Sequence, residues 1–169
     1  MSIAQALLPE FDHEMQTTRT MLERVPEGKK DWKPHEKSMS MGQLAAHVGE
    51  VPMWVAPTLT DTELDMNPPG GNPYQSPGFT TVAALLAAFD ASVATAREAL
   101  TTASDADFMV NWSLKNGGQV FFTMPRVAVI RTFVMNHLIH HRGQLSVYLR
   151  LAGVPVPSTY GPSADEGSM

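Results

Sequence analysis

Cysteine is absent from the 169 residues. That single absence excludes disulfides, thiolate metal ligands and a cysteine nucleophile, and leaves His, Asp and Glu as the strong metal ligands. Positive charge is scarce: 12 Lys and Arg stand against 17 Asp and Glu, for a net charge of -5 and a pI near 5.6. No stretch clusters the basic side chains that neutralise phosphates, so nucleic acid is not an expected partner. Long apolar runs are missing too. The longest, Val82 to Phe89, falls far short of the ~18 residues that suggest a membrane span, and Met1-Ser2-Ile3-Ala4-Gln5 has no basic lead-in to an apolar core. The expectation is a cytoplasmic protein with no membrane partner. At this length it forms one domain over residues 1–169, large enough to hold an internal site.

What is present is helical periodicity broken by loops dense in Pro and Gly. Leu8, Phe11, Met15, Thr18, Leu22 and Val25 recur at steps of three and four, which predicts a first helix from Ile3 to Val25, closed by Pro26 and Gly28. Ser40 and Gln43 have capping-box spacing, so a second helix starts near Met41 with Leu44, His47, Val48, Val51 and Val55 on one face. Pro52 should kink or shorten it. A third helix is predicted from Thr81 to Leu100. A fourth starts at Pro125 and carries Ile130, Val134, His137, His141, Leu145 and Tyr148 until Gly153 stops it. The sum is an all-α chain, a four-helix bundle with a long crossover between helices 2 and 3 and a short hairpin or loop before helix 4. The crossover, Asp61 to Gly78, is expected to pass over the surface. The hairpin, Val110 to Phe122, should turn at Asn116-Gly117 and act as a lid or a brace.

The run Asn136-His137-Leu138-Ile139-His140-His141-Arg142-Gly143-Gln144-Leu145 places His137 and His141 four residues apart on the stripe that a bundle buries. Residues at that spacing face the same way, so two ring nitrogens can converge on one ion. His47, on the inward stripe of helix 2, is the candidate third ligand. One buried histidine is ordinarily satisfied by one carbonyl or carboxylate. Three are harder to satisfy so, and one divalent ion would engage all three. His140 is swung about 100° from His141 and is expected outside the ligand set, in a supporting or interface role. His13, between Asp12 and Glu14 on a polar helix face, and His35, in a charged loop, are expected to be solvated. Glu50, three residues after His47, is the carboxylate best placed to hold a ligating histidine from outside or to act as a base; the competing reading is a surface salt bridge.

Three blocks of this sequence resemble the DinB/YfiT-like family of metal-dependent enzymes. Trp32-Lys33-Pro34 with Ser38 to His47 resembles its "WxP…S…H" approach to helix 2, His137 to Arg150 its "HxxxHRGQLxxYLR" helix, and Gly153 to Glu166 its closing segment. The resemblance implies a four-helix bundle, a three-histidine metal site carried by His47, His137 and His141, frequent homodimers, and in some members thiol-dependent transfer or isomerisation.

Three neutral imidazoles leave a coordination position open, as catalytic sites do. The expectation is therefore a metal-dependent transferase or hydrolase acting on a small molecule. Its ion would be a divalent transition metal, zinc or nickel first and iron next, and a low-molecular-weight thiol is a candidate co-reactant. The sequence His137-Leu138-Ile139-His140-His141 lacks the glutamate that follows the first histidine in zinc proteases, which disfavours that type of peptide hydrolysis. The rival class is a non-catalytic metal-binding or stress-response protein. A homodimer is expected on symmetry grounds as well; sedimentation should give twice the 18.4 kDa chain mass, and a monomer at tens of micromolar protein would refute it.

Overall fold

The computed structural model describes residues 1–167. Helix α1 spans Ile3–Leu22, α2 Met41–Glu50, α3 Val55–Thr60, α4 Val82–Thr102, α5 Asp105–Met109, α6 Arg126–Val129 and α7 His137–Leu151. Strands β1 (Glu63–Asp65), β2 (Asn111–Asn116) and β3 (Gln119–Pro125) form one sheet in the order β1-β2-β3. Among the described residues, no helix is long and apolar enough to cross a membrane.

Local chemistry sets the helix ends. Ser2 and Gln5 cap α1 reciprocally, and Ser40 and Gln43 do the same for α2, satisfying first-turn donors that have no partner inside the helix. Pro52 shortens the second helix: α2 stops at Glu50, a tighter 3-10 turn covers Val51–Trp54, and α3 resumes beyond it. At the far end of α7, Gly153 takes φ 74°, and the Gly153 and Val154 amides donate to the carbonyls of Arg150 and Leu149. This is a Schellman closure.

Helices α1, α2, α4 and α7 pack on one another around Phe11, Met21, Leu22, Leu44, Val48, Phe89, Leu138 and Leu145, all essentially buried. Each such side chain contributes about 1.5–3 kcal/mol on transfer from water. Gly49 lets α2 approach α4 closely, since a Cβ there would lie 2.6 Å from the Leu85 Cδ1.

The expectation of an all-α four-helix bundle is corrected by the sheet. Strands β2 and β3 pair antiparallel around a two-residue turn, Gly117-Gly118, one residue later than expected, and both glycines have positive φ (61° and 80°) as a type I′ turn requires. The hairpin is longer than a mere connector because Trp112 and Leu114 alternate inward from β2 onto a second small core with Val129. Strand β1 comes from the crossover and pairs parallel with β2. Three residues reading Glu-Leu-Asp carry no strand periodicity; the pairing is fixed instead by Asp65, whose carboxylate accepts the Gly117 and Gly118 amides at 2.9 and 2.7 Å.

Regular helical continuity through Pro125–Tyr148 is the second correction. Residues Ile130–Asn136 between α6 and α7 wind as a π-helix, a rare form that often marks functional sites.

A buried ion pair ties α7 to α1. Arg142 bonds Glu14 at 2.7 Å and also donates to the Glu14 carbonyl and the Thr18 hydroxyl, with both charged side chains about 95 % or more buried. The Tyr160 hydroxyl accepts from Arg142 at 2.8 Å and donates to Glu14 at 2.9 Å, so the C-terminal segment closes the cluster. The position of Glu14 on a polar face of helix 1 is thus corrected: its side chain faces inward. Glu14→Ala should cost about 3–5 kcal/mol by leaving a guanidinium buried without its counter-charge, whereas Tyr160→Phe should cost about 1–2 kcal/mol. Urea denaturation measures both, and a Glu14→Ala loss below that of Tyr160→Phe would contradict the buried-pair description.

Candidate metal centre

His47 sits in the last turn of α2, and His137 and His141 occupy the first two turns of α7. The packing of α2 on α7 brings the three half-buried rings into a near-equilateral triangle. Centroid separations are 5.0 Å for His47–His137, 4.5 Å for His47–His141 and 4.6 Å for His137–His141. One ring nitrogen from each lies within 4.8 Å of the others. His140 is exposed and outside this group, with its ring 4.9 Å from that of His141. His35 is exposed in its loop. His13 is exposed as well, its ring 6.2 Å from that of Tyr160.

The outward nitrogen of every ring in the triangle meets an acceptor. His47 Nδ1 lies 2.9 Å from Glu50 Oε1, His137 Nδ1 3.2 Å from the Phe133 carbonyl oxygen, and His141 Nδ1 2.7 Å from Gln144 Oε1. A carbonyl or carboxylate oxygen only accepts, so each Nδ1 carries the hydrogen and each Nε2 of a neutral ring presents a lone pair. The Gln144 amide oxygen is assigned by the same logic. Two of these lone pairs, on His47 and His137, then face each other at 3.2 Å with no hydrogen between them. A cation removes that conflict. Two metal–nitrogen bonds of ~2.0–2.1 Å at a tetrahedral angle hold their nitrogens roughly 3.3 Å apart. A bridging proton would satisfy two nitrogens; three converging acceptors suit a metal ion.

The electrostatics favour the neutral rings that a metal requires. Burial, with the nearby His141 and His47, depresses His137 to about 4. Burial also lowers His141, against the opposing effect of the hydrogen bond it donates to Gln144. Glu50 goes the other way from its own burial, which would raise it: hydrogen bonds from His47, Ser76 and Tyr74 outweigh that penalty and hold the carboxylate ionised below its ordinary range. Burial and the adjacent carboxylate raise the Tyr74 hydroxyl, so it stays a donor.

Several members of this arrangement were outside the sequence reading. The Tyr74 and Ser76 hydroxyls donate to Glu50 Oε2 at 2.9 and 2.7 Å. Both belong to the crossover, which therefore does not merely pass over the surface. Gln144, three residues after His141, had a legible signal in that spacing. Phe133 had none, because its role belongs to a backbone carbonyl in the π-helical turn. That turn is braced by the hairpin: the Phe133 ring lies 6.4 Å from Trp112 and 5.8 Å from Phe122, and on its other side 5.9 Å from Trp54 and 5.8 Å from His137. Of the two roles open to the hairpin, these contacts make it a brace.

Comparison with known proteins places this geometry in a family context. A family model described as the DinB family matches residues 1–168. A 43-residue stretch, 25 % of this chain, is 44 % identical to the uncharacterized protein YrdA of Bacillus subtilis strain 168, and spans only a quarter of that curated relative's length. The fold is similar to that of a DinB-like protein from Bacillus cereus ATCC 10987, with a TM-score of 0.69 and 22 % identity over 94 % of this chain and 98 % of that one. It is also similar to the DinB-like protein YjoA of Bacillus subtilis, with a TM-score of 0.66 and 18 % identity over 96 % and 99 % of the two chains. At these identities the structural likeness concerns the fold.

The depressed His137 value fixes a pH dependence. Between about pH 6.5, where an unperturbed histidine titrates, and about pH 4, the unfolded chain binds a proton that folded His137 refuses. Stability is therefore fully present above the unfolded value and lost as pH falls through that window. Thermal melts of metal-free protein should show the midpoint falling from pH 7 to pH 4, with a smaller fall in His137→Gln. A flat profile would refute the neutral-ring assignment.

Proposed function

The chain belongs to the DinB family, and we propose that it is a metal-dependent enzyme in which His47, His137 and His141 hold one divalent transition metal. Zinc and nickel are the leading ions and iron the next, since imidazole ligands suit all three. The carrying observation is the set of three Nδ1 hydrogen bonds that turn three Nε2 lone pairs toward one another. When bound, the metal would act as a Lewis acid toward a small molecule, which suits hydrolysis or thiol-dependent transfer or isomerisation.

The chain's own residues divide the remaining work. Glu50 orients His47 and, by accepting its Nδ1 hydrogen, raises the basicity of the opposite nitrogen. Tyr74 and Ser76 keep that carboxylate in place. The same carboxylate is the nearest built-in proton acceptor, and the Ser76 hydroxyl, exposed to solvent on one side, connects it outward. The Phe133 ring packs against His137 and is itself backed by the Trp54 ring, which makes that flank of the site aromatic.

Metal analysis of purified variants is the direct test. His47→Ala, His137→Ala and His141→Ala should each lose stoichiometric metal and the stabilisation that an ion bound only to the folded chain provides. His140→Ala should keep both. Glu50→Gln should retain the fold and weaken metal affinity roughly 10–100-fold. Stoichiometric metal in His47→Ala would dismiss the triad. The activity is tested by presenting the metal-loaded protein with thiols plus electrophiles and with esters and amides; absence of turnover across these classes, with metal bound, would leave a metal-binding protein and refute the enzymatic reading.

A further inference from the structure

Two adjoining cavities flank the inner end of α2. One, of about 210 Å³, lies between α2 and α4 on a floor of Ala46, Gly49, Ala84, Leu85 and Ala88, roofed by Pro77, Gly78 and Thr80. The other, of about 380 Å³, reaches from Ala46 and Gly78 past Ser76 to the His47 ring. Both share Ala46, Glu50 and Gly78 as walls, so they form one slot that leads from the His47 ring, the one member of the histidine cluster in its lining, into an apolar cleft.

The cleft exists because the sequence puts small side chains where the helices face each other. Ala84 and Ala88 stand one turn apart on α4, opposite Ala46 and Gly49 on α2, and none reaches across. At about 210 Å³ the cleft is smaller than the ~300–1,000 Å³ typical of pockets for drug-sized ligands. The guest is limited to a short group. Its charge is limited as well: among the described residues neither cavity is lined by Lys or Arg, and the Glu50 carboxylate stands in both walls. An anionic group in the slot would stand beside the buried Glu50 carboxylate with no Lys or Arg in the lining to offset it, which desolvation makes costly.

We propose that this slot is the substrate site and that it selects an uncharged small molecule, with a short apolar group in the Ala84–Ala88 cleft and its reactive end toward His47. The assignment rests on reading the histidine cluster as the reactive centre. Ala88 and Ala84 then set the length of the apolar group, and Glu50 rejects carboxylates, phosphates and sulfonates in addition to orienting His47.

The test uses metal-loaded full-length protein and two four-carbon probes, neutral butan-1-ol and anionic butane-1-sulfonate, followed by the amide NMR shifts of Gly49 and Ala84. Butan-1-ol should shift these amides saturably. Ala88→Leu, at an exposed helical position where leucine is well tolerated, should weaken its binding at least about tenfold, the equivalent of roughly two buried methylene groups. Ala83→Leu, on α4 but outside both cavities, should leave it unchanged, and butane-1-sulfonate at equal concentration should not bind. The proposal is overturned if butan-1-ol gives no saturable shift, if Ala88→Leu binds it as well as the parent, if Ala83→Leu weakens it equally, or if the sulfonate binds as tightly as the alcohol. Metal stoichiometry on the same samples reports separately on the histidine triad, so failure of the slot and failure of the metal reading are distinguishable.

Discussion

The bond between His47 Nδ1 and the buried Glu50 carboxylate is the interaction on which the centre depends. An imidazole can present a lone pair at one nitrogen only when the other carries the hydrogen, and the acceptor on the far side decides which is which. Glu50 makes that choice for His47 as a charged acceptor at 2.9 Å. Its own ionisation is sustained against the cost of burial by the His47 hydrogen bond and by two hydroxyl donors. Loss of those donors would shift the balance toward the protonated acid, which could donate to the histidine instead of accepting from it. Tyr74 and Ser76 therefore govern the direction of the His47 lone pair from two bonds away.

Several other elements of the fold hold parts of this geometry in register. The π-helical turn at Ile130–Asn136 brings the Phe133 carbonyl to the His137 ring, and the hairpin packs Trp112 and Phe122 against Phe133 so that the turn has one position. Arg142 lies next to His141 and points to the other side of α7, into Glu14 and Thr18 of α1. A buried ion pair of this kind is a weak source of net stability, but it tolerates little sliding or rotation because either would strand a charge. It fixes α7 along and about its axis. The two histidines one turn apart inherit that setting.

How far the chain was legible before its structure follows from the range of each signal. The capping boxes, Pro52, Gly153 and the histidine spacing are local, and local rules read them. Helix α1 ends at Leu22, with Val25 packed just beyond it, a difference of three residues at a frayed end. The sheet was not legible as a sheet. Strand β1 has only three residues, and it exists through pairing with β2 and through the Asp65 contacts some fifty positions away. Tyr74 and Ser76 were hidden for the same reason, lying in a Pro- and Gly-rich crossover with no periodicity to say which side chains turn inward. Glu14 and Arg142 were hidden differently. A charge in a helix pattern reads as solvated, and only the opposing helix and Tyr160 reveal that each is the other's partner.

The electrostatic character of the site follows from the division between neutral and charged neighbours. Three imidazoles face the centre, while the nearest carboxylate stands one hydrogen bond behind His47 rather than among the inward nitrogens. A cation held there would keep its charge toward whatever shares the site, instead of having it cancelled by a direct carboxylate ligand. Glu50 still makes His47 a stronger donor than its two partners, whose Nδ1 hydrogens go to neutral acceptors, the Phe133 carbonyl and the Gln144 amide. The triangle is thus symmetric in shape and asymmetric in electronics. The strongest donor is also the ring that borders the slot alongside Glu50, which joins the orientation of the centre and the chemistry of its approach in one pair of residues a single helical turn apart.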